Sequence, residues 1–217
     1  MYDQAIKIFE FLPIRKRSLE EQRYIDYLWN SFSLLNQSAG TDIPSFSVIP
    51  FHLLFVLAVQ YRILRVSKAH LDNYKLIYTI KSLRPEDKIL IEPDSVFTFS
   101  RLSEKELIDA LKLLSVDESV IGRAKALVNK RNGLAHPNGS IASELDEMIE
   151  EYIDILTALQ PYFEKINNLL AKEWLKEIET DEDETIFVDT RLAGEYVCPA
   201  DLRSGLLGKE FSEYVEL

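Results

Sequence analysis

The sequence predicts an all-α protein: a helical bundle with a long helix toward its carboxyl-terminal side, followed by a small β-hairpin extension. Three observations carry that expectation. Apolar residues recur at three- and four-residue steps over long stretches, the spacing that lines one face of a helix. No glycine interrupts residues 46 to 80. Ser103 and Ser115 are each followed at the third residue by a glutamate, Glu106 and Glu118, the capping-box pattern that satisfies the free amides of a helix start.

Taken in order, Leu19, Ile25, Leu28, Trp29, Phe32 and Leu35 mark a first amphipathic helix from Ser18 to about Gln37. Gly40 and Pro44 punctuate a loop, and a second, longer helix runs from about Phe46 to Ile80, buried in its first half. Residues 83 to 99, with Pro85 and Pro93, read as a loop containing a short segment that could be extended. The two capping boxes open a third helix, to about Leu114, and a fourth, from Asp117 to about Asn132. Ser140 caps the longest element, whose apolar positions from Leu145 to Leu169 keep helical spacing to about Ile178, with a kink or break expected at Pro161. The acidic run ETDEDET ends it, because adjacent like charges repel and favour a solvated linker. TIFVD and EYVC then suggest a hairpin before a short closing helix. The expected division is a helical domain over 1–178 and an acidic linker with its small extension over 179–217.

Composition narrows the class. Hydrophobic residues make up 47%, enough for a globular core. The single cysteine, Cys198, excludes an intrachain disulfide and leaves too few thiols for a cysteine zinc cage, which fits a reducing cytoplasm. The amino terminus does not read as a secretory signal, and the longest apolar stretch, around VIPFHLLFVLAV, is expected to be too short to span a bilayer. No membrane partner is expected.

Net charge is -11, which by itself argues against a nucleic-acid partner. The distribution reverses that for one region. Residues 1–139 carry 19 Lys and Arg against 16 Asp and Glu, whereas residues 140–184 carry 3 against 14. Within residues 119–136 the charged side chains are Arg123, Lys125, Lys130 and Arg131, all basic. That window leads into NKRNGLAHPNGS, residues 129–140, where Arg131, Asn132 and His136 exceed what a turn between helices needs.

On a continuous helix Arg131 and His136 would stand about 140° apart, so a helix end near Gly133 and Pro137 is part of any joint role. There the long arginine could reach round to the imidazole, beside the amides opening the next helix. An imidazole can take or return a proton near neutral pH, and a guanidinium can hold two phosphate oxygens. These parts suffice to cleave RNA with no metal or other cofactor. The ribose 2'-hydroxyl attacks the adjacent phosphorus and expels the 5'-oxygen, leaving a 2',3'-cyclic phosphate. One motif histidine per chain is a thin supply for a base and an acid, and a symmetric dimer would bring two motifs to one cleft.

The RNGLAH segment, followed by a long helix, resembles the signature of the HEPN domains (higher eukaryotes and prokaryotes nucleotide-binding). The resemblance spans Ser18 to Ile178 in helix order and is motif-grade only across RNGLAH. It implies a dimerising helical bundle and, in many members, a metal-independent endoribonuclease of toxin–antitoxin or antiviral-defence systems. Arg131 and His136 would be the catalytic pair and Asn132 the residue that orients them. Some members carry a tyrosine two residues beyond the histidine; here that position is Asn138.

Other residues admit plainer roles. His52, among Phe51, Leu53, Leu54 and Phe55, reads as a core histidine bonded to backbone. Arg62, Arg65 and Lys68 share one side of the second helix and could guide RNA phosphates or simply be solvated. Glu147, Glu150, Glu151 and Asp154 recur at the spacing of a wet helix face rather than a metal site. Two function classes follow: an RNA-cutting homodimer with a composite site, and a non-catalytic helical module that binds a cognate antitoxin or defence-complex protein.

Overall fold

The computed structural model describes residues 2–13, 18–37, 46–69, 74–75, 85–135, 145–180 and 198–200, and for residues 2, 69, 85–86, 134–135 and 164–180 the backbone only. Among these residues the chain is helical throughout its regular elements, with no strand. The proposed hairpin segments lie outside the described residues, apart from Cys198.

A short helix α1 (Tyr2–Ala5) continues as a 3-10 turn over Ile6–Phe11. Ala5, Ile8, Phe11 and Leu12 are buried by three- and four-residue spacing that sequence reading passed over. Helix α2 (Leu19–Asn36) starts where Ser18 accepts the Glu21 amide at 3.1 Å, and it buries Ile25, Leu28 and Phe32. Glu21 is buried too, accepting the Tyr61 hydroxyl at 2.8 Å.

Helix α3 (Val48–Ala69) is the centre of the bundle, packed by α2 on one side and by the last helix on another. Its burial does not stop halfway but continues through Ser67. This corrects the expectation for two cations: Arg62 and Arg65 are each 1% exposed and cannot meet RNA, whereas Lys68 is exposed. Arg62 donates to the carbonyls of Phe11 and Ala58 and to Gln160 Oε1, at 3.1 to 3.2 Å, and lies over the rings of Phe11 and Phe163. Spacing had placed the cations on a common side; the turn over Ile6–Phe11 and the last helix then covered that side. The span Val48–Lys68 is also long and apolar enough to cross a bilayer by length and composition, contrary to the reading of a short apolar stretch. In the bundle 83% of its most apolar window is buried by protein.

The expected loop after α3 contains 3-10 turns over Pro85–Leu90 and Val96–Arg101, the second of which buries Val96 and Phe99. Helix α4 (Glu104–Ala110) opens with the capping box the sequence announced, Ser103 and Glu106 bonding reciprocally. The second box does not form. Ser115 ends the 3-10 turn Leu111–Leu114 in the left-handed region, at φ 56°, and Asp117 takes over the start of α5 (Glu118–Ala135) by accepting the Ser119 amide at 2.7 Å. Asp117 has the better reach because the chain reverses at Ser115.

Helix α6 (Leu145–Thr180) runs through Pro161 without a break. A proline there costs one backbone hydrogen bond, and Tyr152, Ile155, Leu156, Leu159 and Phe163 hold the helix to the core on either side. Cys198 is buried and Ala200 packs against the same core, so part of the extension returns to the helical body.

Candidate functional site

Arg131 and Asn132, both half-buried, lie toward the carboxyl-terminal side of α5, which continues through Gly133, where the sequence suggested an end, as far as Ala135, its last described residue. His136 is the next residue along the chain. It lies outside the described residues, as do Pro137 to Glu144.

Arg131 does not stand alone. Its Nη2 donates to Glu104 Oε1, with 18% of the arginine side chain and 23% of the glutamate side chain accessible. The other carboxylate oxygen, Oε2, lies 3.2 Å from Nε2 of His52, in an approach too oblique for a well-formed hydrogen bond. On the far side of the ring, Nδ1 of His52 is 2.8 Å from the Tyr152 hydroxyl. Four side chains from four helices thus form one line: Tyr152 on α6, His52 on α3, Glu104 at the first position of α4, and Arg131 on α5. His52 keeps the core position expected of it, but its partners are side chains, not backbone. Phe55 and Tyr152 pack beside its ring, with centroids 6.1 and 5.5 Å away.

Electrostatics orient the line. Burial pushes the His52 imidazole below its ordinary pKa and outweighs the upward pull of Glu104, so the ring is neutral. Burial pushes the Tyr152 hydroxyl up, which keeps it a neutral donor. Burial also pushes Glu104 up, yet its contacts with His52 and Arg131 outweigh this and hold the carboxyl below its ordinary value, ionised. With Tyr152 donating to Nδ1, the ring proton sits on Nε2 and faces Glu104 without a well-formed hydrogen bond. Among the described residues, Nε of Arg131 is a buried donor with no hydrogen-bond partner.

The remaining cations of the basic window each meet a carboxylate. Lys125 reaches Asp109 at 2.8 Å, Lys130 lies 3.3 Å from Glu151, and Arg123 lies 3.7 Å from Glu151 and 4.0 Å from Asp154. The acidic face of α6 is thus a partner for the basic face of α5. Glu104 also borders a cleft of about 500 Å³ between α2, α3 and α4, lined by Tyr24, Leu53, Val56 and Phe97 with Glu20 at its rim. Among the described residues no group of three or more His, Cys, Asp and Glu side chains could hold a metal ion.

Glu104 and Tyr152 escaped sequence reading. Glu104 sits inside a capping box whose other members explain it locally, and Tyr152 keeps core spacing; nothing near either residue signals a partner dozens of positions away. No protein-family model, curated protein or solved structure matches the chain.

Proposed function

We propose that the chain is a metal-independent endoribonuclease of the HEPN type, acting in the cytoplasm as a toxin or antiviral-defence effector. The observation that carries this reading is the position of Arg131: a guanidinium held by a carboxylate toward the carboxyl-terminal side of α5, five residues before the motif histidine in the chain. Part of the Arg131 side chain, 18%, stays accessible to a phosphate oxygen.

In this mechanism His136 removes the proton from the ribose 2'-hydroxyl, the oxygen attacks the adjacent phosphorus, and the P–O5' bond breaks. Arg131 neutralises charge on the non-bridging oxygens, Asn132 orients the pair, and the 5'-oxygen leaves with a proton from an imidazolium. A second copy of the chain supplies that acid across a twofold axis. Purified protein incubated with RNA in EDTA should yield 2',3'-cyclic phosphate and 5'-hydroxyl ends and leave DNA intact, and His136→Ala should lower the rate by at least about 100-fold. Equal cleavage by wild type and variant would remove the proposal.

A second reading, a non-catalytic module bound to an antitoxin or defence-complex protein, is favoured by the pairing of Arg131 with Glu104 and of Arg123, Lys125 and Lys130 with carboxylates. It requires that loss of both Arg131 and His136 leave the complex with the partner intact.

A further inference from the structure

We propose that Glu104 is the positioning residue for Arg131, held from behind by His52 and Tyr152, so that three helices outside the motif set the direction of the guanidinium. The inference rests on the ribonuclease reading and adds to it residues that the motif does not contain.

The argument starts from freedom. An arginine side chain on a helix has four rotatable bonds and would sample many directions, and a phosphate clamp works only when its donors are fixed before charge develops. A contact from Nη2 to one carboxylate oxygen removes much of that freedom, provided the carboxylate is itself fixed. Glu104 is fixed at both ends. Its backbone opens α4 directly after the Ser103 cap, and its second oxygen faces His52 at 3.2 Å. His52 in turn is fully buried, anchored at Nδ1 by Tyr152 and walled by Phe55, so its ring has no room to turn. Tyr152 is fully buried against Phe51 and Phe55, with centroids 5.7 and 5.0 Å away. The chain of contacts therefore runs from two fully buried groups, Tyr152 and His52, to two that retain accessible surface, Glu104 and Arg131.

A purely structural role does not need these groups. Burying an ion pair with its polar support stabilises a fold no better than apolar packing of the same volume. What the line does supply is direction: it engages Nη2 from the interior and leaves part of the side chain accessible.

The test is single-turnover cleavage of an RNA oligonucleotide in EDTA, with RNA affinity measured separately and thermal unfolding as the check on folding. Glu104→Gln keeps the shape and loses the charge; it should cut the cleavage rate about 30-fold or more while RNA affinity changes by less than about 3-fold. Glu104→Asp, which restores the carboxylate one carbon shorter, should recover part of that loss. Tyr152→Phe removes only a hydroxyl and should slow cleavage about 3- to 10-fold in a folded protein, which keeps the proposal open to refutation even where the Glu104 variants fail to fold. Variants cleaving at the wild-type rate per folded molecule would show a structural role only and overturn the proposal. Faster cleavage by Glu104→Gln would make the carboxylate a restraint on Arg131 and overturn it as well. Absence of cleavage by the wild-type protein would instead remove the ribonuclease reading, and this inference with it.

Discussion

Two arginines in this protein have opposite surroundings. Arg62, in the middle of α3, is 1% exposed, gives its hydrogen bonds to carbonyl oxygens and an amide oxygen, and lies between two phenyl rings. Arg131, toward the carboxyl-terminal side of α5, keeps 18% of its side chain accessible and is held through a carboxylate that is itself backed by a histidine and a tyrosine. The first ties the amino-terminal turn and α6 to the central helix, and its charge has no route to a ligand. The second stands on α5 within the segment that carries the motif. Burial depth, not residue type, separates a bundle fastener from a candidate phosphate clamp.

That contrast can be broken from either side. The largest effect on stability is expected at Arg62: Arg62→Leu leaves the Phe11 carbonyl and Gln160 without their donor and should lower unfolding free energy by about 3 to 5 kcal/mol in urea titrations, while cleavage per folded molecule stays unchanged. A loss of cleavage larger than the loss of folded protein would erase the distinction between the two arginines.

Proton linkage at the Arg131 end gives a smaller effect. His52 has its pKa lowered by burial, so the unfolded chain, at the ordinary value of 6.5, binds the proton first. Stability present above pH 6.5 is therefore lost as pH falls below it, with a slope of up to about 1.4 kcal/mol per pH unit until the folded pKa is reached. Glu104 is depressed as well, and its contribution fades below its ordinary 4.5. Unfolding curves of wild type and His52→Gln, compared on either side of pH 6.5, should differ in slope; parallel slopes would mean that the imidazole is not held neutral.

The smallest effect is expected on the outer face of α5. Lys130 and Arg123 are well exposed and paired across to α6, so Lys130→Ala should change stability by no more than about 1 kcal/mol. Its RNA affinity should fall modestly and become less sensitive to salt; an unaltered salt dependence would take Lys130 out of the RNA path.

Some of this organisation was legible along the chain and some was not. The starts of α2 and α4 could be read from Ser18 and from Ser103 with Glu106, because a cap bonds amides within three residues of itself. The supposed cap at Ser115 failed on the same local logic, since Asp117 lay closer to the amides that needed an acceptor. Arg62 and Arg65 were misplaced because helical spacing reports which residues share a side, and says nothing of what covers that side. The Arg131 end divides in the same way. A basic stretch of helix leading to a histidine was readable from the chain, whereas Glu104, 27 residues away, and His52, further still, were not.

The sequence by itself determined an all-α chain and the starts of several helices, because each depends on interactions within a few residues. Only the tertiary structure decided that two of the cations are core residues, that an acidic helix face neutralises a basic one, and that Arg131 is reached by a line of side chains from three other helices. Those outcomes depend on which faces meet when the helices pack, and that is settled by burial across the whole bundle rather than by any local pattern.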